Sequence, residues 1–280
     1  MKIGGNIYYY RKRKGFTQEE LAEKLGVTFQ TVSAWERDDY LPQLDKLDRM
    51  AQCLDVTIAD LCSSTPVEDA GWVLKDQMFS VEHMYRFVRT YAQSADARQT
   101  TAALPYAKER HEGQFRKGKG KVPYIYHPLV MTCHALALGF HEDDLTAALL
   151  LHDVCEDCRD EAGNRIKPEN LPVGEKAQEA VRLVTKPDEE YDGWEKDYYS
   201  AIAQNRLAVI VKCLDRCNNI SMMAVGFSRA KMREYIVETE TYVLPLLEIM
   251  KKKYEDTCYN AAFLIKYQML SDLENLKRLL

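Results

Sequence analysis

The 280-residue sequence predicts an all-α protein in two domains, and three observations carry that expectation. Apolar residues recur every three or four positions across 17–25, 43–54, 81–91, 128–138, 145–151, 205–214 and 235–250. That is the spacing of helices burying one face. No convincing run of alternating β-branched residues appears, and no repeat or low-complexity segment. A Ser/Pro/Gly stretch, Ser63-Ser64-Thr65-Pro66 through Gly71, separates two helical blocks. The expected organisation is a small helical domain over 1–63, a linker over 64–79 and a larger all-helical domain over 80–280.

Composition narrows the class. Hydrophobic content of 46% and charged content of 29% belong to a globular chain and argue against disorder. No apolar run approaches the roughly 18 residues that span a bilayer, and the N-terminus lacks the apolar core of a signal peptide. Eight cysteines without a framework pattern fit a reducing compartment. The expectation is a cytoplasmic protein with no membrane association. A net charge of −5 provides no global attraction to nucleic acid, so DNA binding would rest on a local patch, for which Arg11-Lys12-Arg13-Lys14 is the candidate.

In the N-terminal block, Tyr8-Tyr9-Tyr10 reads as core of a first helix. Thr17-Gln18-Glu19-Glu20 is a capping box that starts the second, with Leu21, Ala22 and Leu25 facing inward. Gly26 permits a sharp turn, and Thr28 caps a third helix running to Arg37, in which Val32 and Trp35 face the core. Two short helices on a tight glycine turn make a helix-turn-helix. Phe29, Gln30, Thr31 and Ser33 then lie near the exposed start of its second helix, where base edges are read.

These residues, with Trp35-Glu36-Arg37 and Pro42, resemble the Cro/C1-type helix-turn-helix family from Arg11 to Leu61. The resemblance implies DNA binding through Gln18, Thr28, Phe29, Gln30, Thr31 and Ser33, with Gln18 on a phosphate and Gln30 and Ser33 facing the major groove. Phe29 stands where the family often has a polar residue, which suits a thymine methyl or a protein partner. Helix-turn-helix proteins commonly bind as dimers, so a homodimer is expected. The competing reading is a helix-turn-helix kept only for dimerisation or partner binding.

In the larger block, His152-Asp153 sits on a helix expected from about Glu142 to Asp157, with Glu156 and Asp157 one turn further on the same face. Three acids so close repel one another unless a cation is present. His127 directly precedes Pro128, at the start of a helix expected over 128–138 and ended by Gly139. Asp215 is embedded in an apolar helix, a costly position unless it is paired or metal-bound, and Arg216 is the obvious partner. Arg159 to Gly174 reads as a long loop. Two imidazoles and two carboxylates suit Mn²⁺, Fe²⁺ or Zn²⁺ better than Ca²⁺.

The order His127, His152-Asp153, Asp215 resembles the HD phosphohydrolase superfamily. The surrounding Arg116-Lys117, Pro123-Tyr124-Ile125-Tyr126-His127-Pro128, His152-Asp153-Val154-Cys155-Glu156-Asp157, Val184-Thr185-Lys186 and Asp215-Arg216 with Asn219 resemble the RelA/SpoT-type (p)ppGpp hydrolase domain, from about residue 80 onward. The resemblance implies a Mn²⁺ held by His127, His152, Asp153 and Asp215. Glu156 and Asp157 would position water and take its proton, and pyrophosphate would leave the 3′ side of a guanine nucleotide alarmone. Arg116 would stack on guanine, Lys117 and Lys212 would meet phosphate, and Asn219 would bond the nucleotide. With nothing after residue 280 for a synthetase domain, a hydrolase-only form is expected. The alternatives are a transcription regulator sensing a nucleotide through this domain, or a nucleotidase acting on another phosphorylated nucleotide. Departures from the pattern are the longer Gly118–Val122 stretch, Asn218 where the family usually has His, and Met222 where a small hydroxyl residue is common. Asn218 and Met222 are expected to flank the nucleotide pocket. Cys155, Cys158, Cys213 and Cys217 read as small buried side chains, and Lys251-Lys252-Lys253 as a solvated face.

Overall fold

A computed structural model describes residues 3–62, 79–116, 122–160, 162–187, 189, 191–253 and 255–280. Among them all extended regular structure is helical, and β pairing is confined to two isolated bridges, Phe115 with Pro123 and Arg159 with Arg165. The chain divides into two compact units, residues 1–69 and 70–280. Most of the expected linker lies outside the described residues.

The small unit holds α1 (Gly4–Arg13), α2 (Gln18–Leu25), α3 (Phe29–Glu36), α4 (Leu44–Leu54) and α5 (Ile58–Cys62). The capping box forms in full: Glu20 N–H donates to Thr17 Oγ1 at 3.1 Å and Thr17 N–H to Glu20 Oε2 at 2.7 Å. Gly26 takes a left-handed φ of +64°, open to glycine at little cost, and turns the chain into α3. Leu21, Leu25, Val32, Trp35, Met50 and Leu54 fill the core. At Gly4 a Cβ would lie 2.5 Å from the carbonyl oxygen of Glu36, so only glycine lets α1 come this close to the end of α3. Of the tyrosine run, Tyr10 is buried and Tyr9 packs against the core, but Tyr8 is exposed. Three consecutive residues of one helix cannot share a face.

The large unit begins with α6 (Val81–Ser94), α7 (Arg98–Arg110), α8 (Tyr126–Ala137), α9 (Asp143–Leu151) and the single turn α10 (Val154–Asp157). It continues through α11 (Glu175–Val184), α12 (Trp194–Ile202), α13 (Arg206–Gly226) and α14 (Arg229–Glu238). A π-helical turn, Thr239–Val243, leads to α15 (Leu244–Lys253) and α16 (Glu255–Leu279). Helix α9 is buried from Leu145 to Leu151, apolar on every side but for Thr146, as suits a central helix. Each fully buried leucine there is worth roughly 1.5–3 kcal/mol. Helices α8, α9 and α13 pack on one another and form the centre of the unit. Asp143 ties α9 to α7, accepting from the N–H groups of Gln99 (2.9 Å) and Thr100 (2.8 Å). The single helix expected from Glu142 to Asp157 is in fact broken: α9 ends at Leu151, His152 and Asp153 form a turn, and α10 restarts at Val154. Both turn residues keep right-handed backbone angles, so Glu156 and Asp157 still donate their N–H groups to Asp153 O.

Candidate metal centre and nucleic-acid interface

Each central helix delivers part of one cluster. His127 comes from the first turn of α8, His152 and Asp153 from the turn after α9, and Asp215 from the middle of α13. His127, His152 and Asp215 place donor atoms within 4.8 Å of one another. His127 Nε2 lies 3.2 Å from Asp215 Oδ1 and 3.2 Å from His152 Nε2. Asp153 Oδ2 completes the group, 3.0 Å from His152 Nε2 and 3.6 Å from His127 Nε2.

Hydrogen bonds on the far side of each ring define what the near side offers. His152 Nδ1 faces the carbonyl oxygen of Leu149 at 2.9 Å, and His127 Nδ1 faces Asn218 Oδ1 at 2.5 Å. Facing oxygen acceptors, both Nδ1 atoms are placed to donate, and each Nε2 faces the other imidazole and the carboxylates, where it can meet a further proton or a cation. That arrangement repels itself unless a proton or cation lies at its centre. Two neutral imidazoles and two carboxylates are also a donor set for a first-row divalent ion, so the residues fit one. Burial pushes the His127 pKa down. Burial pulls on His152 as well, but Asp153 and Asp215 outweigh it and hold its pKa up at about 9. Burial disfavours the charge of Asp215, yet Lys212 overrides that and keeps the carboxyl well below its usual range.

The cluster opens on a cavity of about 560 Å³ whose walls include Gln114, Arg116, Glu156, Asp157, Lys186, Lys212 and Asn219. Burial raises the pKa of Glu156, and the N–H of Lys186 donates to its Oε1 at 2.6 Å. Arg116 donates to Asn219 Oδ1 (2.7 Å), and Asn219 donates to Asp215 Oδ1 (2.6 Å), so the cavity wall is wired to the cluster. Lys212 sits 3.3 Å from Asp215 Oδ2, making it a partner of that carboxylate as well as a wall of the cavity. Lys117 lies outside the described residues. Arg216, the expected partner of Asp215, instead pairs with Glu238 at 2.6 Å, and Tyr199 donates to the same carboxylate at 2.6 Å. Asn218 is not on the cavity wall, since its side-chain oxygen is taken by His127.

Sequence reasoning gave no role to Tyr124, Lys186 or Gln114. Tyr124 donates to Asp153 Oδ2 at 2.7 Å and stacks on His111, with ring centroids 4.7 Å apart. Its place in the Pro123-Tyr124-Ile125-Tyr126-His127-Pro128 stretch was the available signal. Lys186 falls within a stretch that carries the family resemblance, which was the available signal for it, and the place of Gln114 on the wall is decided by the fold.

In the small unit, Thr28, Phe29 and Gln30 are exposed at the start of α3, with Thr31 and Ser33 half-buried behind them. Thr28 Oγ1 accepts from Thr31 N–H at 3.3 Å, and Arg37 donates to Ser33 Oγ at 2.6 Å. Gln18 donates to Glu36 Oε2 at 2.7 Å. Arg11 does not belong to a surface basic patch. It is 3% exposed and forms a two-pronged ion pair with Glu36, at 2.5 and 2.9 Å. The expected patch loses its first member to the core.

Comparison with known proteins found relatives of both units. The Helix-turn-helix family matches residues 7–61. A transcriptional regulator of that type from Methanothermobacter thermautotrophicus is 51% identical over 48 residues, 17% of this chain and 70% of that protein. Through its N-terminal unit, the chain belongs to the helix-turn-helix family. The rest is homologous to (p)ppGpp hydrolases. The bifunctional (p)ppGpp synthase/hydrolase SpoT of Escherichia coli (strain K12) is 27% identical over 210 residues, 70% of this chain, which spans 29% of the length of SpoT. The guanosine-3′,5′-bis(diphosphate) 3′-pyrophosphohydrolase MESH1 of Xenopus tropicalis is 28% identical over 151 residues, 51% of this chain and 81% of that protein. Among the described residues, no helix is long and apolar enough to cross a membrane.

Proposed function

We propose that this chain is a divalent-metal-dependent 3′-pyrophosphohydrolase of (p)ppGpp that carries its own DNA-binding unit. The observation that carries this reading is the meeting of His127, His152, Asp153 and Asp215, the last three lining a cavity that Glu156, Asp157 and Arg116 also wall. Those four residues would hold Mn²⁺, or Fe²⁺ or Zn²⁺, and the bound ion would supply Lewis acidity to water and phosphate oxygens. Glu156 and Asp157 orient the attacking water and accept its proton. Water oxygen bonds to the phosphorus attached at the 3′ position, the bond from phosphorus to the 3′ oxygen breaks, the proton taken from water passes to that oxygen, and GDP or GTP and pyrophosphate result. Arg116 stacks on the guanine, Lys212 offsets phosphate charge, Asn219 bonds the nucleotide, and Lys117 extends the basic edge. In the N-terminal unit, Gln18, Thr28, Phe29, Gln30, Thr31 and Ser33 meet DNA, and a cytoplasmic homodimer presents two such surfaces.

Incubation with ppGpp, with and without Mn²⁺, followed by ion-exchange chromatography, tests the reading. Manganese-dependent release of GDP and pyrophosphate is the expected result. Asp153→Ala is expected to abolish turnover and metal binding while retention on a pool of genomic DNA fragments persists. Replacing Gln30 and Ser33 by Ala is expected to do the reverse. Full turnover by Asp153→Ala would show the site misassigned, and bound metal without product would point to a nucleotide sensor.

A further inference from the structure

The two imidazoles of the cluster are oriented by different means. His152 is held through Nδ1 by a backbone carbonyl, Leu149 O, which no substitution removes. His127 is held through Nδ1 by a side chain, Asn218 Oδ1, at 2.5 Å. Asn218 follows Asp215 by three residues on α13, so both face the same neighbour. Asp215 Oδ1 lies 3.2 Å from Nε2 of the His127 ring while Asn218 Oδ1 lies against its Nδ1. One turn of α13 therefore grips the imidazole at both nitrogens.

We infer that Asn218 is a positioning residue of the metal centre, whose side-chain carbonyl fixes the proton of His127 on Nδ1 and so leaves Nε2 open to the cation. The inference deepens the metal-centre reading and rests on it. If Nδ1 met a donor instead of an acceptor, the proton would move to Nε2. An N–H would then point at His152 Nε2 and Asp215 Oδ1, in the space where the ion belongs. Outer partners of metal-bound histidines act in this way, and their loss typically costs 10–100-fold in metal affinity. Here the partner is an amide, which accepts without adding charge to a cluster already holding Asp153 and Asp215.

Two variants separate acceptance from packing. Asn218→Leu removes the acceptor at nearly constant size, and Asn218→Asp keeps an acceptor. Mn²⁺ titration by calorimetry on the full chain is expected to give a Kd raised 10–100-fold for Asn218→Leu and within a few-fold of the parent, or tighter, for Asn218→Asp. Thermal melts confirm that each variant is folded. Long-range ¹H–¹⁵N spectra of the metal-free protein are expected to show His127 protonated at Nδ1 in the parent and Asn218→Asp, and shifted toward Nε2 in Asn218→Leu. An unchanged Kd and tautomer in Asn218→Leu overturns the inference, as does an Asn218→Asp protein as weak as Asn218→Leu. A parent that binds no Mn²⁺ but shows the Nδ1 proton overturns the metal reading and leaves the orienting role standing.

Discussion

Each unit buries one arginine against one glutamate, and the two pairs serve different ends. Arg11 and Glu36 are 3% and 5% exposed in their side chains, and Glu36 also takes Gln18, so the back of α3 is electrically closed. Arg216 and Glu238, at 2% and 15%, lie beneath the cavity, where Tyr199 joins the glutamate and Arg216 forms part of the wall. In the small unit the buried charges balance, and the surface they support carries Thr28, Phe29 and Gln30. In the large unit the ion pair borders a cluster that gathers two imidazoles, two carboxylates and the Lys212 ammonium at one point. The lesson is positional: the proposed DNA reading is an exposed property resting on a satisfied interior, whereas the proposed hydrolysis is an interior property that depends on a cation held among buried donors.

The largest stability effect expected from this contrast is at Glu36. Glu36→Ala leaves the Arg11 guanidinium buried without its carboxylate, a loss of about 3–5 kcal/mol. A unit of this size holds roughly 3–9 kcal/mol in total. The expected outcome is an N-terminal unit largely unfolded at 37 °C in urea or thermal melts, with Mn²⁺ affinity of the large unit unchanged. A small unit as stable as the parent would break the comparison, by showing that α3 does not depend on the pair.

A smaller effect is expected at Glu238, through pH. Burial works against its charge, but Arg216 outweighs burial and holds the carboxyl down at about 2. A depressed carboxyl stabilises the fold above its ordinary value of 4.5, and that contribution fades as pH falls from there toward 2. The difference amounts to about 3 kcal/mol. Urea melts should show the parent more stable than Glu238→Gln at pH 7, with the gap narrowing steadily below pH 4.5. A gap that stays constant to pH 3 would mean the pair contributes no charge-dependent stability.

What the sequence disclosed follows the range of each interaction. The capping box at Thr17, the cap at Thr28 and the turn at Gly26 are set by residues within four positions, and they formed as expected. The cluster was recognisable because its residues fall within short stretches around His127, His152-Asp153 and Asp215, which the structure brings together. Partners decided across the fold were not visible. Arg11 looked like surface charge because Glu36 is twenty-five residues away, and Arg216 looked like Asp215's partner because its true partner, Glu238, lies on another helix more than twenty residues on. The break at His152-Asp153 is hidden because the apolar pattern of α9 continues through it in Val154 and Cys155. The long α16 was missed because Tyr259, Phe263, Tyr267 and Leu270 are exposed on it, which blurs its apolar face.

The smallest expected effect concerns helix caps, one from each unit. Thr28 Oγ1 accepts the N–H of Thr31 at the start of α3, and Asn205 Oδ1 accepts the N–H of Ala208 (3.0 Å) at the start of α13. Either residue changed to Ala removes the side-chain acceptor that caps its helix, at a cost of about 1 kcal/mol to its own unit. Functional consequences should differ. Asn205 is ten residues from Asp215 on the same helix, roughly 15 Å along its axis, so Asn205→Ala is expected to lower the melting temperature of the large unit and leave Mn²⁺ affinity intact. Thr28 is itself at the proposed DNA surface, so Thr28→Ala is expected to lower DNA affinity by more than its stability loss accounts for. Fluorescence anisotropy on genomic fragments, taken well below the melting temperature, reads the two apart. If Thr28→Ala binds DNA like the parent, the exposed start of α3 is not the reading surface, and the contrast between an outward site and an inward one loses its first half.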